Sequence, residues 1–188
     1  CIKYDSKLLI DEAHALGVMG PEGRGESFGL KEPISIISGT FGKAFGGGGA
    51  FLATDKITGE NLIQNCGAFR YTTALAPPLC ASALAALNLI ESNPSWGSEL
   101  KEKSIALRDK LSQIGWQRPV GGGPIISIIL GADELAMDYQ KRLEAQGLLT
   151  IAIRPPTVPE GKSRLRVVIR RNTPVQAFER LIEVLKNK

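Results

Sequence analysis

Short apolar runs separated by polar or glycine-rich segments dominate the first half of the chain. Three such runs lie at residues 7–10, 34–37 and 49–53, and the first two are followed by Asp11 and Ser38. Apolar runs of this length, bounded by polar or turn-forming residues, predict buried strands of the kind found in parallel sheets. We therefore expect an α/β domain with Asp11 and Ser38 at the carboxyl ends of its strands, where such sheets bind ligands.

Two helices and a loop are predicted after these strands. Residues 55–66 start with an aspartate at a typical N-cap position, and residues 79–91 are rich in alanine and leucine, which predicts a largely buried helix. In the segment between these helices, Pro77 and Pro78 disfavour a continuous helix or strand. Residues 69–78 are therefore predicted to be a loop that carries the hydroxyls of Thr72 and Thr73.

The pattern changes after Pro94, where a charged amphipathic helix is predicted at residues 99–111. Short apolar runs and helical periodicities then alternate to the end of the chain. The predicted strands are residues 124–130, 148–153 and 165–169, and the predicted helices are residues 133–146 and 174–185. We therefore place a domain boundary near Pro94, which divides the chain into residues 1–94 and 95–188.

Composition indicates an ordinary globular protein, with 43% hydrophobic and 22% charged residues among 188. No apolar run approaches the ~20 residues that span a bilayer, and no leader-like segment starts the chain, so we expect no membrane segment and a cytoplasmic location. Three cysteines without C-x-x-C spacing and a single histidine, His14, argue against a disulfide framework or a metal site. Cys1 rather than methionine as the first residue suggests a piece of a longer polypeptide.

The net charge is +4, and basic residues crowd one segment near the carboxyl end of the chain. Such a cluster could bind nucleic acid or an anionic metabolite, but a solvated edge is the simpler interpretation. Its members are Lys162, Arg164, Arg166, Arg170 and Arg171.

One lysine lies among glycines, small residues and phenylalanines. Lys43 is the only charged residue between Ile34 and Thr54. In a tight apolar setting an ammonium is poorly hydrated, which favours the neutral amine that condenses with a carbonyl as a Schiff base. The neighbouring glycines would let the backbone approach a planar ligand. A flexible loop with a solvated lysine explains the segment equally well when the segment is considered alone.

Two strand ends could bring Asp11, His14 and Lys43 together. A pyridine cofactor acts as an electron sink only while its ring nitrogen is protonated, a state that a buried carboxylate such as Asp11 would stabilise. His14 could reach the phenolic oxygen of the same ring, and Lys43 offers an amine to its aldehyde. The combination indicates pyridoxal 5'-phosphate (PLP).

Two other motifs point to different chemistry but lack their context. Residues 8–14 resemble the Mg²⁺-binding strand of a DEAH helicase or P-loop ATPase, yet no G-x-x-x-x-G-K-[ST] segment is present. Residues 25–29 match G-x-S-x-G, but no apolar strand precedes Ser27 and the only histidine lies upstream of it. An ATPase and a hydrolase remain minor alternatives.

Five segments follow one another along the chain: D-E-A-H at 11–14, the glycine-rich run at 17–25, G-T-F-G-K-A at 39–44, Y-T-T at 71–73 and R-P-P-T-V-P at 154–159. Their order and spacing resemble the α-oxoamine synthase family of fold-type I PLP enzymes. The resemblance implies a mostly parallel large-domain sheet within residues 1–94 and a smaller α+β domain in residues 95–188. Family members are considerably longer, so the chain would correspond to their C-terminal half and would not form a complete active site alone.

The resemblance also implies roles at the cofactor. Lys43 would form the Schiff base with PLP and later move protons, Asp11 would pair with the pyridinium, and His14 would hold the 3-oxygen. Thr40 would bind the cofactor phosphate. No metal is implied.

The remaining implied roles concern the partner subunit and the substrates. Thr72 or Thr73 would reach the phosphate in the opposite subunit of a homodimer with shared active sites, and Arg166 would bind the substrate carboxylate. The segment at 154–159 most resembles the branch of the family that condenses L-alanine with pimeloyl-CoA. A sister branch, such as glycine C-acetyltransferase or 5-aminolevulinate synthase, and a non-catalytic binding module of the same fold are the alternatives.

Overall fold

The computed structural model describes residues 1–31 and 33–186, and the chain divides into two compact units. Unit 1 comprises residues 1–98 and unit 2 residues 99–188, and each contains a three-stranded sheet. This division lies close to the predicted boundary, while the assignment of a cofactor-binding and a small domain stays a prediction. Within the described part of the chain, no helix is both long and apolar enough to cross a membrane.

The apolar runs of unit 1 form a sheet in the order β1-β2-β3. Its strands are β1 (Leu9–Asp11), β2 (Ile36–Thr40) and β3 (Ala50–Thr54). β1 and β2 are parallel and pair Asp11 with Ser38, whereas β3 runs antiparallel to β2. The three predicted strands are confirmed, each displaced toward its carboxyl side because backbone pairing continues into the polar residues that end the runs. The expectation that they are buried was wrong, since Gly39 is the one buried residue of these strands and Leu9 is 56% exposed.

Three helices follow in unit 1, namely α1 (Lys56–Asn65), α2 (Gly67–Arg70) and α3 (Pro77–Glu91). The predicted cap of α1 is confirmed, since Asp55 accepts hydrogen bonds from the hydroxyl and the backbone N–H of Thr58. These bonds, the one from the hydroxyl first, lower the pKa of Asp55.

The predicted loop at residues 69–78 was wrong at both ends. Residues up to Arg70 belong to α2, and the two prolines start α3 instead of interrupting it. Proline suits the first turn of a helix because its fixed φ is helical and the missing N–H has no intrahelical partner there. The actual loop is therefore residues 71–76.

The prediction that α3 is largely buried was also wrong. Ala83 is the buried residue of α3, whereas Leu84 and Leu89 are 60% and 56% exposed. Among the described residues of unit 1, the buried hydrophobic side chains are those of Phe45 and Ala83. The apolar sequence of α3 therefore lacks, within this unit, the layer of structure that would cover it.

Unit 2 contains three helices and an antiparallel sheet in the order β4-β6-β5. All of its predicted helices and strands are confirmed, and its first helix starts in unit 1, at Trp96. The elements are α4 (Trp96–Gln113), β4 (Ile125–Gly131), α5 (Asp133–Ala145), β5 (Ile151–Ile153), β6 (Ser163–Val168) and α6 (Val175–Lys186).

The core of unit 2 is closed by apolar side chains from all of its helices. Leu111 of α4, Leu143 of α5 and Leu185 of α6 are each 0% exposed. The indole N–H of Trp116 donates to the carbonyl of Leu185 at 2.9 Å, and the Trp116 ring meets Tyr139 edge-on at 5.7 Å between centroids. Unit 2 therefore has the packed interior that unit 1 lacks.

One charged side chain is buried in this interior. The Arg108 guanidinium donates to the carbonyls of Ser104 and Ile125, each at 3.1 Å, and so ties α4 to β4. Burial, followed by the nearby charge of Arg118, lowers the pKa of Arg108.

Truncation of Leu111 tests the core of unit 2. Leu111→Ala should reduce the free energy of unfolding by about 2 to 5 kcal/mol, because a buried leucine leaves a cavity when shortened. Leu149→Ala, at a position that is 88% exposed, should change it by less than about 0.5 kcal/mol. Urea unfolding monitored by circular dichroism measures both, and equal effects would contradict the assigned core.

Candidate functional site

The carboxyl ends of β1 and β2 lie at the same edge of the sheet because the strands are parallel. Asp11 ends β1, and its Oδ1 accepts hydrogen bonds from Ala13 N at 2.9 Å and Ser38 Oγ at 3.2 Å. The Asp11 side chain is exposed rather than buried, and its Oδ2 accepts no hydrogen bond from the described residues. One carboxylate oxygen therefore orients the group while the other is available to a ligand.

The loop that follows β2 carries Lys43 and folds back on itself. Phe41 N donates to Gly49 O at 2.9 Å, and Gly47 N donates to Phe41 O at 2.8 Å. The Phe41 ring lies 5.3 Å from that of Phe45 and 5.4 Å from that of Phe51, between centroids. The loop is thus closed by backbone hydrogen bonds and an aromatic cluster.

A glycine makes this aromatic cluster possible. A Cβ on Gly39 would lie 2.5 Å from the Phe51 ring, a distance that no side chain could tolerate. Phe51 of β3 therefore packs directly over the backbone of β2. β2 is the strand that leads into the Lys43 loop.

Lys43 is exposed, which corrects the expectation of a tight apolar setting. The phenylalanines that flank it in sequence pack on each other, and Phe45 is the one that is buried. Within residues 1–31 and 33–186, the Lys43 amine forms no ion pair or hydrogen bond. The amine is therefore not held by a counter-ion from the described part of the chain.

Thr40 closes the Lys43 loop at its base. Its hydroxyl donates to Gly49 O at 3.0 Å and accepts from Gly42 N at 3.2 Å. Thr40 thus lies at the end of β2, where the resemblance places a phosphate ligand, but its observed contacts hold the loop.

The other expected cofactor residues of unit 1 lie in two different segments. His14 is an exposed residue in the turn that follows β1. Thr72 and Thr73 are exposed in the loop before α3, where the Thr72 hydroxyl donates to Ala68 O. Neither threonine is hydrogen-bonded to Asp11 or Lys43.

Sequence reasoning overlooked Glu12, which is 2% exposed. Its carboxylate accepts hydrogen bonds from Ser27 N at 2.6 Å and from Glu26 N at 3.2 Å. An acidic residue next to a predicted ligand position was the only signal in the sequence, because its partners are backbone groups of a distant turn.

Arg166 lies on β6 in unit 2, opposite Ser127 of β4 and Ile151 of β5. It is half-buried, as is Arg164 on the same face of the strand, whereas Leu165 between them is fully buried. Arg164 donates to Lys162 O at 3.0 Å, but the Arg166 guanidinium binds no group among the described residues. Arg166 is therefore the arginine of this face that is available to an anion.

The strand edge of unit 1 fits the donor set that PLP requires. An unengaged amine can bind an aldehyde covalently, and an unengaged carboxylate oxygen can pair with a pyridinium. The loop borders open space at Gly46, where a Cβ would meet nothing within 4 Å. By contrast, the described residues contain no cluster of three or more His, Cys, Asp or Glu side chains suited to a metal ion.

Comparison with known proteins places the chain in a family. The model of the family "Aminotransferase class I and II" matches residues 1–185. The chain is 38% identical to the 8-amino-7-oxononanoate synthase of Methylobacillus flagellatus, over 98% of this chain and 47% of that protein.

Two solved structures share its fold over nearly its full length. The 8-amino-7-oxononanoate synthase from Francisella tularensis is 28% identical with a TM-score of 0.85, over 96% of this chain and 54% of that chain. Serine palmitoyltransferase from S. paucimobilis, with a bound PLP–myriocin aldimine, is 26% identical with a TM-score of 0.88, over 98% and 48% of the two chains.

The chain thus spans about half the length of the curated relatives it matches. The match nevertheless includes both units and the strand edge that carries Asp11 and Lys43. The chain belongs to the class I and II aminotransferase family and has the fold of fold-type I PLP enzymes.

Proposed function

We propose that this chain forms part of a PLP-dependent acyltransferase of the cytoplasm that joins L-alanine to pimeloyl-CoA. The reaction would yield 8-amino-7-oxononanoate, with release of CO₂ and CoA. The observation that carries the proposal is the placement of Asp11 at the carboxyl end of β1 and of Lys43 just after the carboxyl end of the parallel strand β2. The name shared by relatives from several bacteria supports the choice of substrates.

Three residues of unit 1 would hold the cofactor. Lys43 would bind its aldehyde, Asp11 would keep a proton on its ring nitrogen, and His14 would donate to its 3-oxygen. PLP, when bound, supplies an electron sink for negative charge at the α-carbon of the amino acid. The Lys43 amine, once exchanged for the substrate amine, would accept the proton from that carbon.

Arg166 of β6 would bind the carboxylate of the amino acid and orient it. A guanidinium can bind a carboxylate through two parallel hydrogen bonds, which fixes the position of the α-carbon. The absence of an intramolecular partner for Arg166 among the described residues supports this role. Arg164, which is engaged by the Lys162 carbonyl, is less suited to it.

The active site would be incomplete in this chain alone. The relatives are about twice as long, and the leucines of α3 are left exposed. We propose that the remaining polypeptide covers α3 and completes the cofactor site. We also propose a homodimer in which Thr72 or Thr73 reaches the cofactor phosphate of the other subunit.

A sister acyltransferase is the second candidate. The likeness to serine palmitoyltransferase favours an enzyme that uses another amino acid, such as serine or glycine. Glycine C-acetyltransferase and 5-aminolevulinate synthase are enzymes of this kind. The third candidate is a non-catalytic binding module with the same fold.

Turnover of different amino acids tests the proposal. The full-length protein should consume L-alanine with pimeloyl-CoA and release CoA, with a higher kcat/KM than for glycine or L-serine. The isolated 188-residue chain should show no turnover, because it lacks part of the site. Thiol release and mass spectrometry of the product measure both. Preference for glycine or serine would establish a sister enzyme, and normal turnover by the isolated chain would refute the incomplete site.

Replacement of Lys43 tests the covalent attachment. The full-length protein with PLP should absorb at about 420 nm, a band expected for the cofactor bound to a lysine. Lys43→Ala should lose both this band and turnover, because the loop between β2 and β3 contains no other lysine. Lys56→Ala should keep both, since Lys56 is an exposed lysine of α1 that pairs with Glu60. Survival of the band in Lys43→Ala would contradict the assignment.

Replacement of Arg166 tests the carboxylate site. Arg166→Ala should raise KM for L-alanine by roughly 10- to 100-fold, the range expected for losing hydrogen bonds to a charged group. KM for pimeloyl-CoA should change little. Arg164→Ala is the matched control on the same face of β6 and should have a smaller effect. A larger rise in KM for L-alanine in Arg164→Ala would move the role to that residue.

A further inference from the structure

Glu12 is a buried acidic residue that has no role in the proposed reaction. It is 2% exposed, and no lysine or arginine among the described residues forms an ion pair with it. A buried carboxylate is costly unless hydrogen bonds compensate for its lost hydration. In this structure the compensation comes from two backbone N–H groups, those of Glu26 and Ser27.

The backbone of Glu12 is fully engaged as well. Its N–H donates to Ser38 O of β2 at 2.8 Å, and its carbonyl accepts from Ala15 N and Leu16 N, each at 2.9 Å. The two hydrogen bonds to the Glu12 carbonyl form the turn that contains His14. Glu12 therefore joins three segments, which are the end of β2, the turn that carries His14 and the turn at residues 25–27.

The turn at residues 25–27 lies directly against the Glu12 carboxylate. Gly25 has φ +96°, and a Cβ on it would lie 2.9 Å from Glu12 Cδ, so the close approach requires glycine. Gly25 N also donates to Met19 O at 2.9 Å, which ties the turn to the preceding loop. Any movement of the turn would therefore be passed to residues 17–23.

That loop in turn touches the Lys43 loop. Gly17 N donates to Gly23 O at 2.7 Å, and a Cβ on Gly17 would lie 3.0 Å from the Cβ of Ala44. Ala44 is the residue next to Lys43. A series of hydrogen bonds and close approaches thus runs from the Glu12 carboxylate to Ala44, beside Lys43.

We propose that Glu12 is a positioning residue, whose carboxylate clamps the turn at residues 25–27 and thereby fixes Asp11, His14 and the Lys43 loop relative to one another. This inference rests on the proposed function, because these are the residues that would hold PLP. Glu12 itself would not touch the cofactor. The Glu12 side chain is buried at the strand end, whereas the Asp11 side chain is exposed.

Proteolysis at Arg24 reports on the clamp without the cofactor. Arg24 is an exposed residue immediately before the turn. In the full-length protein, trypsin should cleave after Arg24 about tenfold faster in Glu12→Ala than in the wild type, the factor that corresponds to one lost hydrogen bond of ordinary strength. Glu12→Gln keeps the shape and one acceptor oxygen, so it should show a smaller increase and serves if the alanine variant fails to fold. Mass spectrometry of the peptide that starts at Gly25 measures the rate.

Cofactor binding shows whether the clamp positions the site. Both variants should bind PLP more weakly, by about tenfold in Glu12→Ala, and should shift the pH dependence of the bound cofactor's absorbance because Asp11 and His14 are displaced. Glu91→Gln removes a carboxylate from an exposed position in the same unit and should change neither cleavage nor binding.

The outcomes separate the two proposals. Faster cleavage with unchanged PLP affinity and an unchanged pH profile would refute the positioning role and leave Glu12 a structural residue. Unchanged cleavage in Glu12→Gln and in a folded Glu12→Ala would refute the clamp itself. If the wild type bound no PLP, the proposed function and the positioning role would both fail, and the cleavage rates would still decide whether Glu12 holds the turn.

Discussion

Parallel pairing of β1 with β2 is the constraint on which the candidate site depends. It places Asp11 beside Ser38, a residue 27 positions further along the chain, and directs the loop after β2 to the same edge of the sheet. Parallel strands require a long crossover connection, which is usually a helix that satisfies its own backbone groups. In this chain the described residues of the connection form turns and one short 3-10 helix (Pro21–Gly23), so its N–H groups need other acceptors. The Glu12 carboxylate provides one such acceptor at the strand end itself.

The two units differ in how much of their apolar sequence they bury. Unit 2 encloses leucines from three helices against its sheet, whereas unit 1 leaves most of the apolar face of α3 in water. An uncovered surface of this kind is uncommon in a stable monomeric domain and is typical of an interface. The difference agrees with a chain that spans about half the length of its relatives. It also explains why the strand edge of unit 1 is open to solvent.

The sequence predicted the strands and helices better than it predicted which of their side chains are buried. Strands and helices followed from apolar runs, periodicity and the Asp55 cap because these signals are local. The burial of α3 and the setting of Lys43 could not be predicted in this way, since they depend on which other layers pack nearby. Pro77 and Pro78 were misleading because proline is compatible with both the end and the start of a helix. Candidate site residues were found through motif order, whereas Glu12 was overlooked because its partners lie 14 and 15 residues away in sequence.

Asp11 and Glu12 have different roles at the end of β1. Asp11 is exposed to a ligand, whereas Glu12 is buried and binds backbone N–H groups. Adjacent residues at a strand end point to opposite sides, so one carboxylate is exposed at the edge and the other is buried beneath it. An exposed Glu12 would add a second carboxylate to the edge that carries Asp11. Because backbone N–H groups engage Glu12 instead, it supports the strand end without adding an accessible charge there. Asp11 is thereby the exposed carboxylate of this strand end, and its Oδ2 can meet a ligand there.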